Sequence, residues 1–224
     1  ERGIENVKKV YRRDVEKGRL SQEKADKILS NYSTSTHLKD LSDKDMIIEA
    51  VFEELEVKKS VFSQLNDIAK EGAVLASNTS YLDIDKIASA TDRVGDVIGL
   101  HFFSPANIMR LLEIVVPTNV KDDVVATGFQ LAKILKKVPV RAGNCDGFIG
   151  NRVLENYAKA ANYMMEDGTS PYDIDKAIVE FGYPMGPFQM FDLAGGDIGW
   201  ADRKRKAAFR SVSYTHLRAH ETPR

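Results

Sequence analysis

Between residues 46 and 141, short apolar runs alternate with amphipathic stretches of helical period, and this alternation leaves few folds open. Runs such as Met46-Ile47-Ile48 and Val74-Leu75-Ala76 show no polar alternation, as expected of strands buried on both faces of a parallel sheet. Strands are expected at 46–51, 73–76, 97–101, 111–116 and 138–141, with helices at 54–71, 83–90 and 122–137. The pattern predicts an α/β sheet, largely parallel at its start. Ligands of such sheets sit beyond the carboxyl ends of the strands, so polar residues directly after each run are the first candidates for chemistry.

The flanks differ. Residues 4–17 and 21–31 read as two charged amphipathic helices split at Gly18, with Ser21 as an N-cap. After Gly143 only helical pattern remains, at 147–166, at 172–181 and from Pro187 onward. The boundary is placed near 139–143, which divides the chain into an α/β unit, 1–140, and an all-α unit, 141–210. Residues 211–224 show no period of either kind and read like a translated library adapter, so they are set aside. Without them, His37 and His101 are the histidines available for chemistry.

Composition narrows the function. The charge is nearly balanced, 32 basic against 33 acidic residues, with no sustained basic stripe, so neither nucleic acid nor an anionic membrane is expected as a partner. No apolar run approaches the ~20 residues of a membrane-spanning helix. The single cysteine, Cys145, rules out an intrachain disulfide framework and a multi-cysteine metal site; it reads as a small buried apolar residue, and no metal is expected. A small-molecule ligand remains.

Glu113 interrupts the aliphatic run Leu111-Leu112-Glu113-Ile114-Val115-Val116, where a carboxylate is costly to bury without a partner. His101, in Gly99-Leu100-His101-Phe102-Phe103-Ser104-Pro105, is the candidate. A carboxylate against an imidazole fixes its tautomer and favours its charged form, which makes a general base. Alone, His101 would read as a core histidine satisfied by a backbone carbonyl. Ser77-Asn78-Thr79-Ser80 follows a strand directly and is either a ligand rim or an ordinary capped loop. Glu53 ends the preceding strand with Lys58 about a turn beyond; by themselves the two read as a surface ion pair. Asn151, in Gly147-Phe148-Ile149-Gly150-Asn151-Arg152, is either solvated or aimed across a cleft between units, and the glycines favour close packing there. Gly182-Tyr183-Pro184-Met185-Gly186-Pro187 reads as a rigid turn before a helix, and Arg203-Lys204-Arg205-Lys206 as a solvated helix face. No strand, Gly-x-Gly-x-x-Gly turn and helix occur in succession anywhere.

Five ordered strings make the chain resemble the 3-hydroxyacyl-CoA dehydrogenase family: Ile48-Glu49-Ala50-Val51-Phe52-Glu53, Ser77-Asn78-Thr79-Ser80, Gly99 to Pro105 with Met109 and Glu113, Gly147 to Arg152, and Gly182 to Phe188. Ser104 and the run from Asp192 to Trp200 resemble the multifunctional enzymes that also carry an enoyl-CoA hydratase/isomerase domain. The resemblance implies a truncated Rossmann-like NAD-binding domain followed by an incomplete all-α domain. It implies His101 as catalytic base, Glu113 as its orienting partner, Ser80 and Asn151 as hydrogen-bonding groups for the reacting oxygen, and Glu53, Lys58 and Asn78 along the NAD site. The implied reaction oxidises (S)-3-hydroxyacyl-CoA to 3-oxoacyl-CoA with hydride transfer to NAD in fatty-acid β-oxidation. The alternatives are a 3-hydroxybutyryl-CoA dehydrogenase of butyrate metabolism and a crystallin-like structural protein. The family's glycine-rich turn is expected upstream of Glu1, so the isolated fragment is expected to be inactive. The parent is expected to be dimeric or fused to a hydratase domain, cytoplasmic if bacterial and peroxisomal if a eukaryotic bifunctional enzyme.

Overall fold

The structure is a computed structural model and describes residues 2–194. Two helices, α1 (Arg2–Glu16) and α2 (Gln22–Leu29), lead in, and the Ser21 hydroxyl caps α2 by accepting the Lys24 N–H at 3.3 Å. Strands β1 (Met46–Glu49), β2 (Val74–Ser77), β3 (Val97–Phe102), β4 (Leu111–Val116) and β5 (Val138–Gly143) form one sheet in sequential order. The β1–β2, β2–β3 and β4–β5 pairings are parallel and β3–β4 is antiparallel, a parallel-dominated Rossmann-like arrangement.

Helices α3 (Leu55–Ile68) and α4 (Ile84–Ala88) cover one face, and α5 (Asp122–Ile134) covers the other. Strand alternation sorts the core. Ile98, Leu100, Leu112 and Ile114 pack with Val124 and Ala132, while Val97, Val115 and Leu75 pack with Phe62, Leu65, Ile84 and Ile87. Each of these large side chains is nearly fully buried and contributes about 1.5–3 kcal/mol against solvent exposure. Gly99 has no room to be anything else: a Cβ there would lie 2.6 Å from the Val115 Cβ.

In β3 and β4 the same alternation turns His101 and Glu113 toward the α4 face, and the antiparallel register sets them directly opposite each other. After β5 come α6 (Gly150–Glu166), α7 (Pro171–Phe181) and α8 (Pro187–Ala194). Helix α6 starts three residues later than its pattern suggests, because Gly147 (φ 70°) and Phe148 (φ 47°) are both left-handed. The adapter-like stretch, Trp200 and residues 203–206 lie outside the described residues.

Candidate active site

The register of β3 on β4 brings His101 Nδ1 to 2.7 Å from Glu113 Oε2, with both side chains almost wholly buried. An ionised carboxylate only accepts, so in the neutral imidazole Nδ1 carries the hydrogen and Nε2 the lone pair. The other oxygen of Glu113, Oε1, accepts the Ile149 N–H at 3.0 Å and the Gly150 N–H at 2.8 Å, the first amides of α6. Burial pushes the Glu113 carboxyl up. The His101 hydrogen bond, the Gly150 N–H, the imidazole's charge and the Ile149 N–H together outweigh it and hold the group below the usual glutamate range. The helix start therefore stabilises the same carboxylate that orients the imidazole.

Aromatic rings restrict the imidazole. The Phe103 ring lies 4.4 Å from it and the Phe148 ring 5.6 Å, centroid to centroid. Phe148 reaches that position through its left-handed backbone. Gly150 packs against Phe103 so closely that a Cβ would come within 2.7 Å of Cζ.

The second half of the site lies at the carboxyl rim of β1 and β2. Glu53 Oε1 accepts from Thr79 Oγ1 (2.5 Å), the Ser80 N–H (2.7 Å) and the Tyr81 N–H (3.2 Å), and so shapes the loop after β2. Glu53 Oε2 lies 3.4 Å from Lys58 Nζ, which also donates to Glu49 Oε1 at 2.7 Å. Lys58 is only 1% exposed, which corrects the reading of a surface pair: the ammonium is a buried ion, and buried ions persist only when paired. Asn78 Oδ1 accepts the N–H of Phe102, next to His101, at 2.9 Å. Asn151 Nδ2 donates to the Ser80 carbonyl at 3.2 Å, so Asn151 is turned to the α/β unit and is not a freely solvated position.

One hydrogen-bonded assembly thus collects all seven candidates: His101 and Glu113 on the strands, Asn151 on α6, and Ser80, Glu53, Lys58 and Asn78 on the rim. Each reactive side chain keeps an atom in reserve. Among the described residues, His101 Nε2, Ser80 Oγ, the Asn78 amide nitrogen and Asn151 Oδ1 form no hydrogen bond. The charges behind them are paired. That division suits a site that binds and moves a proton on a polar small molecule.

The donor set also fits a dinucleotide. At the rim of β1, Phe52 is 82% exposed and Val51 40%, which offers apolar surface beside the half-buried Glu53 carboxylate and the spare amide of Asn78. A carboxylate and an amide suit ribose hydroxyls and a carboxamide. Lys58 lies behind them, with its ammonium 3.4 Å from Glu53.

Three features escaped the sequence reading. Glu49 sits in β1 as Glu113 sits in β4, a carboxylate in an aliphatic strand, and the same anomaly would have marked it. The left-handed Phe148 carries no signal, since a non-glycine residue rarely adopts that backbone. Cys145 is exposed, not buried, with Arg152 Nη1 at 3.5 Å from its sulfur. It lies in the link between β5 and α6, where its thiol faces the Phe148 carbonyl at 3.7 Å.

Residues 1–145 match the family model described as "3-hydroxyacyl-CoA dehydrogenase, NAD binding domain", and residues 147–222 match "3-hydroxyacyl-CoA dehydrogenase, C-terminal domain". The peroxisomal bifunctional enzyme of Cavia porcellus is 50% identical over 170 residues, 76% of this chain and 23% of the relative. The chain thus spans about a quarter of the length of the curated relatives it matches. Among solved structures, FadB2 of M. tuberculosis superposes with a TM-score of 0.84 at 37% identity, covering 87% of this chain and 70% of that one. The (S)-3-hydroxybutyryl-CoA dehydrogenase PaaH1 of Ralstonia eutropha gives 0.86 at 30% identity, covering 95% and 76%.

Proposed function

The chain belongs to the 3-hydroxyacyl-CoA dehydrogenase family, and on that premise we propose that its parent protein oxidises (S)-3-hydroxyacyl-CoA to 3-oxoacyl-CoA in fatty-acid β-oxidation. The observation that carries this reading is the His101–Glu113 contact at 2.7 Å with Nε2 left uncommitted. In the oxidative direction Nε2 accepts the proton of the 3-hydroxyl while the C3 hydrogen departs as hydride. NAD, when bound, supplies the hydride acceptor. Glu113 then faces an imidazolium and stabilises the charge created in the step. The Ser80 hydroxyl and the Asn151 side chain hold the reacting oxygen, and Glu53 and Asn78, with Lys58 behind, line the place for the nicotinamide riboside. Residues 1–140 form the cofactor unit in this reading, and 141–210 the helical unit that closes the cleft.

Relatives described as peroxisomal and glyoxysomal support a peroxisomal multifunctional parent with a hydratase domain. PaaH1, described as acting on (S)-3-hydroxybutyryl-CoA, supports a short-chain substrate as the second reading. A purely structural role in the manner of a crystallin would not need four uncommitted polar atoms beside a buried ion pair. The test is NADH formation by the full-length protein with 3-hydroxybutyryl-CoA and with a long-chain analogue, before and after His101→Gln. The substitution should lower kcat by about 10²–10⁴-fold and leave cofactor affinity in place. An unchanged rate would refute the role of His101, and no turnover with either substrate would end the enzymatic reading.

A further inference from the structure

Glu49 has no part in the proton transfer, yet it is the most constrained member of the rim. It belongs to β1, where the ladder pairs it with Ser77 of β2, and its side chain is almost fully buried. Oε1 accepts from Lys58 Nζ at 2.7 Å and from the Val51 N–H at 2.6 Å; Oε2 accepts from Ser77 Oγ at 2.7 Å. Its backbone carbonyl accepts the Asn78 N–H at 2.9 Å.

Glu53, by contrast, lies in the irregular link between β1 and α3, where no ladder fixes it. What holds it on its own side is Lys58, 3.4 Å away, and what holds Lys58 is Glu49. Glu53 in turn accepts the N–H groups of Ser80 and Tyr81 and the hydroxyl of Thr79. A buried carboxylate and a half-buried one share one buried ammonium, an arrangement that apolar residues of similar volume often replace without loss of stability. Packing does not account for it. Position does.

We propose that Glu49 is a positioning residue: from its fixed place in β1 it clamps Lys58, and through Lys58 and Glu53 it sets the 79–81 loop that presents Ser80 to the dinucleotide and substrate. The second half of this statement rests on the function proposed above; the first does not. Neutralising Glu49 leaves Lys58 with Glu53 as its one carboxylate, so the pair is free to shift and the loop amides lose their fixed acceptor.

The test is amide hydrogen exchange on Glu49→Gln in the full-length protein without cofactor, with NADH titration and steady-state kinetics alongside. The Ser80 and Tyr81 amides should exchange at least about tenfold faster, while Ile98 and Ile114 in the central strands keep their protection. KM for NAD should rise at least about fivefold with kcat within about twofold. Unchanged exchange at Ser80 and Tyr81 overturns the proposal, and so does an equal increase at every core amide, which marks a merely structural residue. Selective loosening of the loop with unaltered NADH affinity supports the clamp and counts against this rim as the cofactor site. If Glu49→Gln does not fold, Glu49→Gln with Lys58→Met removes both charges. That double variant must show the same selective loosening, and a protected loop in it overturns the proposal.

Discussion

Asn151 donates its side-chain amide to the backbone carbonyl of Ser80, 3.2 Å away, and this bond joins the first turn of α6 to the loop after β2. Seventy-one residues separate the two in sequence. With the Ile149 and Gly150 amides on Glu113, it makes the start of α6 part of the same surface as the strands that carry His101 and Glu113. Replacing Asn151 by Ala removes one neutral hydrogen bond, worth about 1 kcal/mol of stability. The larger expected effect is catalytic, a fall of about tenfold to a hundredfold in kcat/KM for the acyl-CoA of the full-length protein. Steady-state kinetics beside thermal unfolding separate the two, and a loss of stability with intact kcat/KM speaks against a role at the substrate.

Glu113 couples pH to stability in a defined direction. Its carboxyl is held below the ordinary glutamate range: burial opposes ionisation, but His101 and the two α6 amides outweigh it. A group depressed on folding stabilises the native state above its unfolded pKa, about 4.3 for glutamate, and that stability is lost as pH falls through the lower folded value. The difference in urea midpoint between wild type and Glu113→Gln should therefore shrink as pH falls below about 5, where the carboxyl begins to protonate, and vanish in stronger acid. A difference that goes on growing below about pH 4 contradicts the assignment.

Gly150 tests the aromatic packing around the imidazole. A methyl group at this position would lie 2.7 Å from Phe103 Cζ and 3.0 Å from Cε1, and the Phe103 ring itself packs at a tilt of 44° against His101. Gly150→Ala should cost about 1–3 kcal/mol by overpacking. Because the displaced ring bounds His101, kcat should fall as well, and by more than in an Ala replacement of a helix residue remote from the site. Preserved kcat in a destabilised variant would show that the ring does not hold the imidazole.

Strand positions, and the pairing of His101 with Glu113, were legible where one anomalous residue met a regular pattern. Leu111–Val116 is aliphatic apart from Glu113, so the carboxylate announced a buried partner, and β4 spans those residues as expected. Alternating apolar runs placed every strand to within a few residues. The Ser21 cap was readable because a hydroxyl directly before a periodic stretch satisfies a free helix amide. What stayed hidden depended on distant neighbours. Nothing local tells that Lys58 is buried, since its burial depends on Glu49, nine residues earlier, and on the ladder that fixes Glu49. Nothing local gives Phe148 its left-handed backbone, which brings its ring into the core and beside His101.

The hydroxyls of Tyr11 on α1 and Tyr32 beyond α2 are 3.4 Å apart, and Tyr11 is pushed up to about 12, by the Tyr32 hydrogen bond first, then by burial. A raised acid favours the protonated folded state, so the stability it contributes is complete below the unfolded tyrosine value of about 10 and is lost as pH rises through the folded one. Spectrophotometric titration should show a tyrosine ionising near 12 that disappears in Tyr11→Phe. In that variant the α1–α2 pair should resist alkali less steeply. A wild-type minus Tyr11→Phe difference titration with its midpoint near 10 would remove the interaction.

Asp175 and Gly186 make the joint between α7 and α8 a matter of fractions of an ångström. The Asp175 carboxylate is buried and accepts the Phe188 N–H at 2.9 Å and the Gln189 N–H at 3.0 Å, the opening amides of α8. Gly186 lies beneath it, where a Cβ would overlap both Oδ1 and the Cα of Asp175. The second contact is backbone, so no side-chain rotation relieves it. Gly186→Ala must therefore separate the helices and break the cap, while Asp175→Ala breaks the cap and leaves the approach open. Each buried amide left without an acceptor costs about 1–3 kcal/mol, so Asp175→Ala should lose about 2–6 kcal/mol where no water replaces the carboxylate. Gly186→Ala should lose at least as much, and the double variant little more than the worse single one, because both act on one contact. Denaturant unfolding of the four proteins checks this; additive losses would mean that the glycine and the aspartate stabilise the helical unit independently.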